Sequence, residues 1–130
     1  MSLKKLTFLL AFGGLAACES LTGTNVCNAI DRPALVITVR DAATGAPTAS
    51  NSRTIVSKHG GATDTVMVAA NAALDAEPIS AFDVPGTYDV RVDKPGYATW
   101  LDSGVVVSQD KDQRCQPVTV SLRADLQRQP

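Results

Sequence analysis

Alternation of apolar and polar residues is the main pattern over most of the chain. At 87–93, Tyr88, Val90 and Val92 alternate with polar residues, and 118–122 alternates in the same way. Successive side chains of a strand point to opposite faces, so this pattern predicts strands with one buried and one solvated face. The complete set of predicted strands is 34–40, 54–57, 63–68, 79–82, 87–93, 97–101 with 104–108 as two strands or one bulged strand, and 118–122.

Turn residues separate these segments. The sequence HGG at 59–61 lies between two predicted strands and is typical of a hairpin turn. KPG at 94–96 predicts another turn, and the polar segment 110–113 predicts a loop. The alanine-rich segment 69–76 fits either one short helix or a loop. Short strands at a spacing of roughly ten residues, with almost no helix, predict an all-β, antiparallel sandwich of seven strands.

The N-terminal segment has a different composition. Lys4 and Lys5 are followed by a mostly apolar run that ends in small residues at position 17. A membrane-spanning helix needs roughly 20 apolar residues, so this run is too short to be one. The three-part pattern predicts a secretory signal peptide at 1–17.

The end of this signal resembles a bacterial lipobox. Leu15-Ala16-Ala17-Cys18 has an aliphatic residue, two small residues and the cysteine that becomes the first residue after cleavage. The resemblance implies that Cys18 carries diacylglycerol and that its freed amine carries a further acyl chain such as palmitate. Two or three chains anchor a protein firmly, whereas one binds reversibly. A plain secretory signal with an unmodified Cys18 is the alternative. Glu19 stands where many lipoproteins of the inner membrane have Asp, which favours the outer membrane.

The number of cysteines fits the same interpretation. The chain has three cysteines, and assigning Cys18 to lipid leaves Cys27 and Cys115 as a pair. In an oxidising compartment the pair predicts a disulfide. A metal site is a poor alternative, because His59 is the single histidine and no CxxC spacing is present. The bridge would place the starts of the first and last strands at one end of the domain. If those strands are neighbours, they must run parallel.

Composition restricts the class of partner. The chain has 130 residues, a length that is enough for one domain, and its formal net charge is −1. It has no cluster of Lys and Arg, so we expect no nucleic-acid partner and no polybasic membrane-binding surface. Membrane attachment is therefore expected through the lipid on Cys18 alone. The predicted divisions are a signal peptide at 1–17, a lipidated N-terminus with a short tether at 18–26, a β-sandwich domain at 27–122 and a polar C-terminal tail at 123–130.

Three motifs resemble the carboxypeptidase regulatory-like family. They are VRDAATGAP at 39–47, VPGTYDVRV at 84–92 and KPGY at 94–97. The family patterns are V-x-D-x-x-T-G-x-P, P-G-x-Y-x-V-x-V and G-Y, and the resemblance covers about residues 34–122. It implies a prealbumin-like, Greek-key-type sandwich of seven strands, related in architecture to transthyretin. It also implies a non-catalytic accessory or binding module, and a few members of the family are associated with carbohydrate.

Catalytic chemistry has little support in the sequence. A nucleophile needs a base within hydrogen-bond reach, and His59 is predicted in an exposed turn. Paired carboxylates can hydrolyse glycosides, but the available ones lie beside turns or on predicted solvent faces. These carboxylates belong to Asp83, Asp89, Asp93 and Asp102. Asp110 and Asp112 lack the ligand density of a calcium loop. We therefore predict no enzyme activity, no catalytic residues, no metal and no cofactor.

Tyr97 and Trp100 are the candidate ligand contacts. Exposed aromatic rings can stack on sugars or anchor an interface, whereas packing in or beside the core is the common alternative. Because their spacing is three, they would face opposite sides of one extended strand. The predicted function is a lipid-anchored, non-enzymatic protein of the cell envelope. It would act in protein interaction or as an accessory module, or alternatively bind carbohydrate through exposed aromatics. Its partner is a protein or glycan that the sequence does not specify.

Overall fold

The computed structural model describes residues 32–113 and 116–130, and the regular secondary structure of this part of the chain is almost entirely β-strand. A single turn of 3₁₀ helix, Ala72–Leu74, lies in the alanine-rich segment. The strands are β1 (Leu35–Asp41), β2 (Arg53–Lys58), β3 (Thr63–Met67), β4 (Ile79–Ala81), β5 (Gly86–Asp93), β6 (Trp100–Val107) and β7 (Val120–Leu126). The all-β prediction is confirmed.

The strands form two sheets. One has the order β4-β1-β7 and the other has the order β3-β2-β5-β6. β1 and β7 run parallel, in register from Leu35 opposite Val120 to Asp41 opposite Leu126. The remaining strand pairs are antiparallel. The first and last strands are therefore neighbours, and they run parallel as predicted for that case.

The two sheets pack against each other over one apolar core. Tyr88, Val90 and Val92 of β5 are fully or almost fully buried, as their alternation with polar residues predicts. The hydroxyl of Tyr88 donates to the carbonyl of Val84 at 2.5 Å, so the buried phenol keeps a hydrogen-bond partner. The buried apolar side chains come from both sheets: Ala34, Leu35, Ile37, Val39, Ala49, Val56, Ile79, Ala81, Tyr88, Val90, Val92, Val107, Ala124 and Leu126.

β6 is a single bulged strand. Its register against β5 shifts between Tyr88 and Val90, where Gly104 adopts a φ of 71°. The amide of Gly104 donates to the Asp89 carboxylate at 2.9 Å. Glycine adopts this left-handed conformation without the steric cost that a Cβ atom adds. β6 begins at Trp100, so Tyr97 lies outside it.

The C-terminal segment is more structured than the predicted polar tail at 123–130. β7 continues to Leu126 because it pairs with β1 over the full length of that strand. The segment 127–129 then pairs with 96–98 in front of β6 through two backbone hydrogen bonds of 2.8 and 2.9 Å. β7 therefore ends four residues beyond the predicted strand 118–122.

The direction of β1 defines two ends of the domain. The Arg32 end contains the starts of β1, β5 and β7, the end of β6 and the hairpin at 59–61. The Asp41 end contains the turn after β1, the start of β2, the ends of β3 and β5 and the segment 127–129. β1 has seven residues, so the two ends lie roughly 20 Å apart.

Candidate functional site

The turn after β1 is built around Asp41. Its Oδ1 accepts hydrogen bonds from the amides of Ala43 at 2.9 Å and Thr44 at 3.1 Å. The Thr44 hydroxyl accepts from the amide of Ala46 at 3.2 Å, and Gly45 has a φ of 72°. Aspartate and threonine side chains that bond nearby amides stabilise such turns, and glycine permits the positive φ. The D-x-x-T-G motif is thus explained by the turn it forms.

The second carboxylate oxygen of Asp41 joins three distant segments. Oδ2 accepts from Arg128 Nε at 2.7 Å and from the Tyr97 hydroxyl at 2.8 Å, and Asp41 is only 2% exposed. The Arg128 bond first, and the Tyr97 bond second, hold the pKa of Asp41 far below its usual range. The cluster therefore ties β1 to the turn before β6 and to the C-terminal segment.

A groove of about 400 Å³ opens beside this cluster at the Asp41 end. Tyr97 connects the two features, because its hydroxyl bonds Asp41 and its side chain lines the groove. Lys94 donates through Nζ to the carbonyl of Ser50 and lies 6.0 Å from the centre of the Tyr97 ring. The groove is lined by Asn51, Ser52, Arg53, Met67, Asp93, Lys94, Pro95 and Tyr97.

Among the described residues, Asp93 is the one carboxylate that lines the groove, and it accepts three hydrogen bonds. The donors are the Thr99 hydroxyl at 2.7 Å, Arg91 Nε at 2.9 Å and Arg53 Nη2 at 3.2 Å. Thr99 first, and the guanidinium of Arg91 next, lower the pKa of Asp93 to about 2. Both arginine side chains are half exposed.

The two aromatic residues predicted as ligand contacts are both partly buried and pack against the core. Trp100 lies opposite the buried Val92 at the start of β6. Tyr97 lies before that strand, in a bridge with Arg128. The prediction that one extended strand holds both rings is wrong, because β6 begins only at Trp100 and Tyr97 pairs with the C-terminal segment. Of the two, only Tyr97 lines the groove.

His59 contacts one of the carboxylates considered for acid–base chemistry. Its Nε2 lies 2.9 Å from Asp89 Oδ1, which also accepts the amide of Gly104 at 2.9 Å. The Gly104 amide first, and His59 second, lower the pKa of Asp89. Both side chains are about half exposed, and the groove lies at the other end of the domain. This pair is therefore a surface contact between the 59–61 hairpin and β5.

The other carboxylates are separate from the groove. Asp83 is exposed, and Asp102 lies on β6 opposite Val90. In the polar loop, Asp110 Oδ2 pairs with Arg32 at 2.8 Å and its Oδ1 accepts the amide of Asp112 at 2.9 Å. Asp110 thus fixes the start of β1 to the loop after β6.

Cys18, Cys27 and Cys115, the predicted lipidation and disulfide residues, lie outside the described residues. Their described neighbours on the two segments are close together. The amide of Arg32 donates to Gln116 Oε1 at 3.3 Å, and the Thr119 hydroxyl donates to the carbonyl of Pro33 at 2.6 Å. Arg32 and Pro33 therefore lie beside the segment 116–119.

No model of a known protein family matches the chain, and a search of curated proteins finds no match. The resemblance to the carboxypeptidase regulatory-like family stays a prediction. Within 32–113 and 116–130 there is no helix with the length and apolar character to span a membrane. The same residues contain no group of three or more His, Cys, Asp or Glu side chains arranged for a metal ion.

Sequence reasoning missed most of the groove. Arg53 and Asp93 are 40 residues apart and come together only because β2 pairs with β5. Asn51 and Met67 carry no motif of their own. The one available signal was the predicted solvent face of β5, since its alternation places Arg91 and Asp93 on the side opposite the buried valines.

Proposed function

We propose that the chain is a lipid-anchored, non-enzymatic binding protein of the bacterial cell envelope, with a carboxypeptidase regulatory-like sandwich of the prealbumin-like, Greek-key type. The observation that carries the proposal is that the segment leading into β1 and the groove lie at opposite ends of the domain. Arg32 lies just before the start of β1, and the groove lies at the Asp41 end. Such a placement suits a domain that is held from one end and binds at the other.

Attachment to a membrane follows from the lipobox. With lipid on Cys18, the chain between Cys18 and Arg32 spans at most about 50 Å when fully extended. The tether then joins the domain at the Arg32 end. The groove lies at the Asp41 end, roughly 20 Å from this point of attachment.

A disulfide between Cys27 and Cys115 is supported by the contacts of the described neighbours. Cys27 precedes Arg32 by five residues, which reach at most about 17 Å. Arg32 bonds Gln116, the residue next to Cys115. The bridge would hold the starts of the parallel strands β1 and β7 together and help to fix the domain on its tether.

Carbohydrate binding is the second candidate. The side chain of Tyr97 lines the groove beside the polar side chains of Asn51 and Asp93, a combination that suits a sugar ring. Its hydroxyl is already bonded to Asp41, so only the ring is available for stacking. Binding on a glycan array that is abolished by Tyr97→Ala but retained by Tyr97→Phe would support this candidate, and absence of binding would remove it.

Mass spectrometry of the protein isolated from membranes tests the leading proposal. We expect a mature chain that begins at an acylated Cys18 and has the mass of a Cys27–Cys115 disulfide. The Cys18→Ser variant should lose acylation and membrane association. The Cys27→Ser variant is the matched control and should keep both. An unmodified thiol at position 18, or free thiols at 27 and 115 after export, would contradict the proposal.

A further inference from the structure

Positive charge is concentrated around the groove. Arg53 and Lys94 line it, and Arg91 bonds the lining carboxylate Asp93. Three cations thus surround one carboxylate in a chain whose formal net charge is −1. Asp41 adjoins the groove through Tyr97 but is paired with Arg128, and Asp75 Oδ1 accepts the amide of Ser50 at 3.1 Å. Counting Asp41 with Arg128, and Asp75 as well, still leaves the groove positive, which favours an anionic ligand.

Several donors at the groove are unused. Arg53 bonds Asp93 only through Nη2, and among the described residues its Nε and Nη1 have no hydrogen-bond partner. The exposed side-chain amide of Asn51 likewise has no partner within the described residues. Nη2 carries a second N–H, so one edge of the guanidinium, Nη2 together with Nη1 or with Nε, can still bind a carboxylate through two parallel hydrogen bonds. The groove therefore has the donors that a carboxylate needs.

The same groove has an apolar wall. Met67 is 68% exposed and lies directly opposite Arg53 in the pairing of β2 with β3. Pro95 and Tyr97 line the groove as well. A thioether side chain adapts to ligands of different shape, and a volume of about 400 Å³ is in the range of small-molecule sites.

We propose that this groove binds an organic carboxylate with an apolar body. Arg53 and Asn51 hold the carboxylate, Lys94 adds positive charge, and Met67 and Tyr97 pack against the apolar part. The inference rests on the proposal that the chain is a binding protein, and it adds the class of ligand. The carboxylate has two possible sources, a free acid or the C-terminus of a peptide, and both present the same chemistry to the groove.

The single methionine of the mature chain provides a direct readout. The sequence has two methionines, Met1 and Met67, and only Met67 remains after removal of the signal peptide. The mature protein with ¹³C-methyl methionine is titrated with N-acetyl-leucine and with the tripeptide N-acetyl-Ala-Ala-Leu. The two corresponding C-terminal amides are titrated in parallel. We expect the Met67 methyl signal to shift and saturate with the acids and to stay unchanged with the amides. The tighter of the two acids identifies the source.

The controls separate a specific site from general charge attraction. Arg53→Gln should weaken acid binding at least tenfold. Arg53→Lys keeps the positive charge but lacks the paired N–H donors of the guanidinium, so it should weaken binding less. Arg123→Gln removes an exposed arginine on β7 in the other sheet and should leave affinity within twofold. The inference would be overturned by unchanged binding in Arg53→Gln or by equal shifts with acids and amides. Saturation by inorganic phosphate instead of the acids, or no saturation, would also overturn it. None of these outcomes alters the acylation and thiol masses that test the proposed function.

Discussion

At the scale of single residues, Asp41 has the largest structural role. Its two oxygens accept bonds from the turn at 43–44, from Tyr97 and from Arg128. A buried carboxylate is tolerated only when its lone pairs are satisfied, and here four donors satisfy them. Asp41 therefore stabilises the turn after β1, fixes the Tyr97 side chain that lines the groove, and binds Arg128 of the C-terminal segment.

Replacement of Asp41 by Asn should therefore lower stability in a pH-dependent way. The native pKa of Asp41 is depressed, so its contribution is complete above the unfolded pKa of about 4 and is lost as the pH falls below it. At pH 7 we expect Asp41→Asn to melt at least about 5 °C below the wild type. The difference between the two proteins should narrow as the pH falls from 4 toward 2, and thermal unfolding followed by circular dichroism between pH 2 and 7 measures this.

Asp125→Asn is the matched control, because Asp125 pairs with Arg123 on the surface of β7 and is 42% exposed. Such pairs contribute little, so this variant should melt close to the wild type at every pH. An Asp41→Asn difference that persists unchanged at pH 2 would show that the carboxylate charge is not the cause.

Thr54 gives a prediction of the opposite sign. It is fully buried, and its hydroxyl has no hydrogen-bond partner among the described residues. A buried hydroxyl without a partner costs free energy, so Thr54→Val should raise the free energy of unfolding by about 1 kcal/mol. Urea denaturation measures the change. Thr65→Val, at an exposed position of β3, is the control, and an equal gain there would refute the role of burial.

At the scale of elements, β6 shows how one strand is shaped by its neighbours. It pairs with β5 through a bulge, and the backbone on either side of it pairs with the residues before and after β7. These contacts connect the two sheets at both ends of β6. They also cover the backbone beside an edge strand on which Leu101 and Val106 are exposed.

The bulge predicts the effect of substitutions at Gly104. A Cβ atom there meets nothing within 4 Å, so the cost of a side chain is the backbone conformation alone. Gly104→Val should destabilise the domain by about 1–2 kcal/mol, because a β-branched residue avoids positive φ. Gly104→Asn should cost less, since asparagine tolerates this conformation. Urea denaturation of both variants measures the difference, and equal losses would indicate a packing effect instead.

At the scale of the whole molecule, β1 is the central strand of its sheet and runs parallel to the edge strand β7. The start of β1 and the groove lie at opposite ends of the domain. The pairing of β1 with β7 joins the first and last strands of the two sheets. This pairing brings Arg32 beside Gln116 and Arg128 beside Asp41.

The proposed disulfide acts at this scale. It would close a loop of about 89 residues, which corresponds to roughly 4–5 kcal/mol in the chain-entropy account. We expect Cys27→Ser, Cys115→Ser and the double variant to lose similar amounts of unfolding free energy in guanidinium titrations. Reduction of the wild type should give the same loss. Cys18→Ser should leave the stability of the folded domain unchanged, and additive losses in the double variant would argue against a bridge.

The sequence by itself determined the local structure. The alternation of Tyr88, Val90 and Val92 predicted a half-buried strand, and HGG at 59–61 predicted the hairpin between β2 and β3. These features depend on neighbours within a few residues, since side-chain alternation and turn conformation are local properties of the backbone. The strand positions were therefore predictable, apart from the bounds of β6 and β7.

Only the tertiary structure decided the groove and the Asp41 cluster. Arg53 meets Asp93 through strand pairing, and Arg128 reaches Asp41 because β7 lies beside β1 and extends to Leu126. Pairing partners and strand ends depend on which sheet edges meet, and residues 40 to 87 positions apart carry no local sign of that contact. Tyr97 lies outside β6 for the same reason. It pairs with Arg128, in the segment that the sequence predicted to be a polar tail.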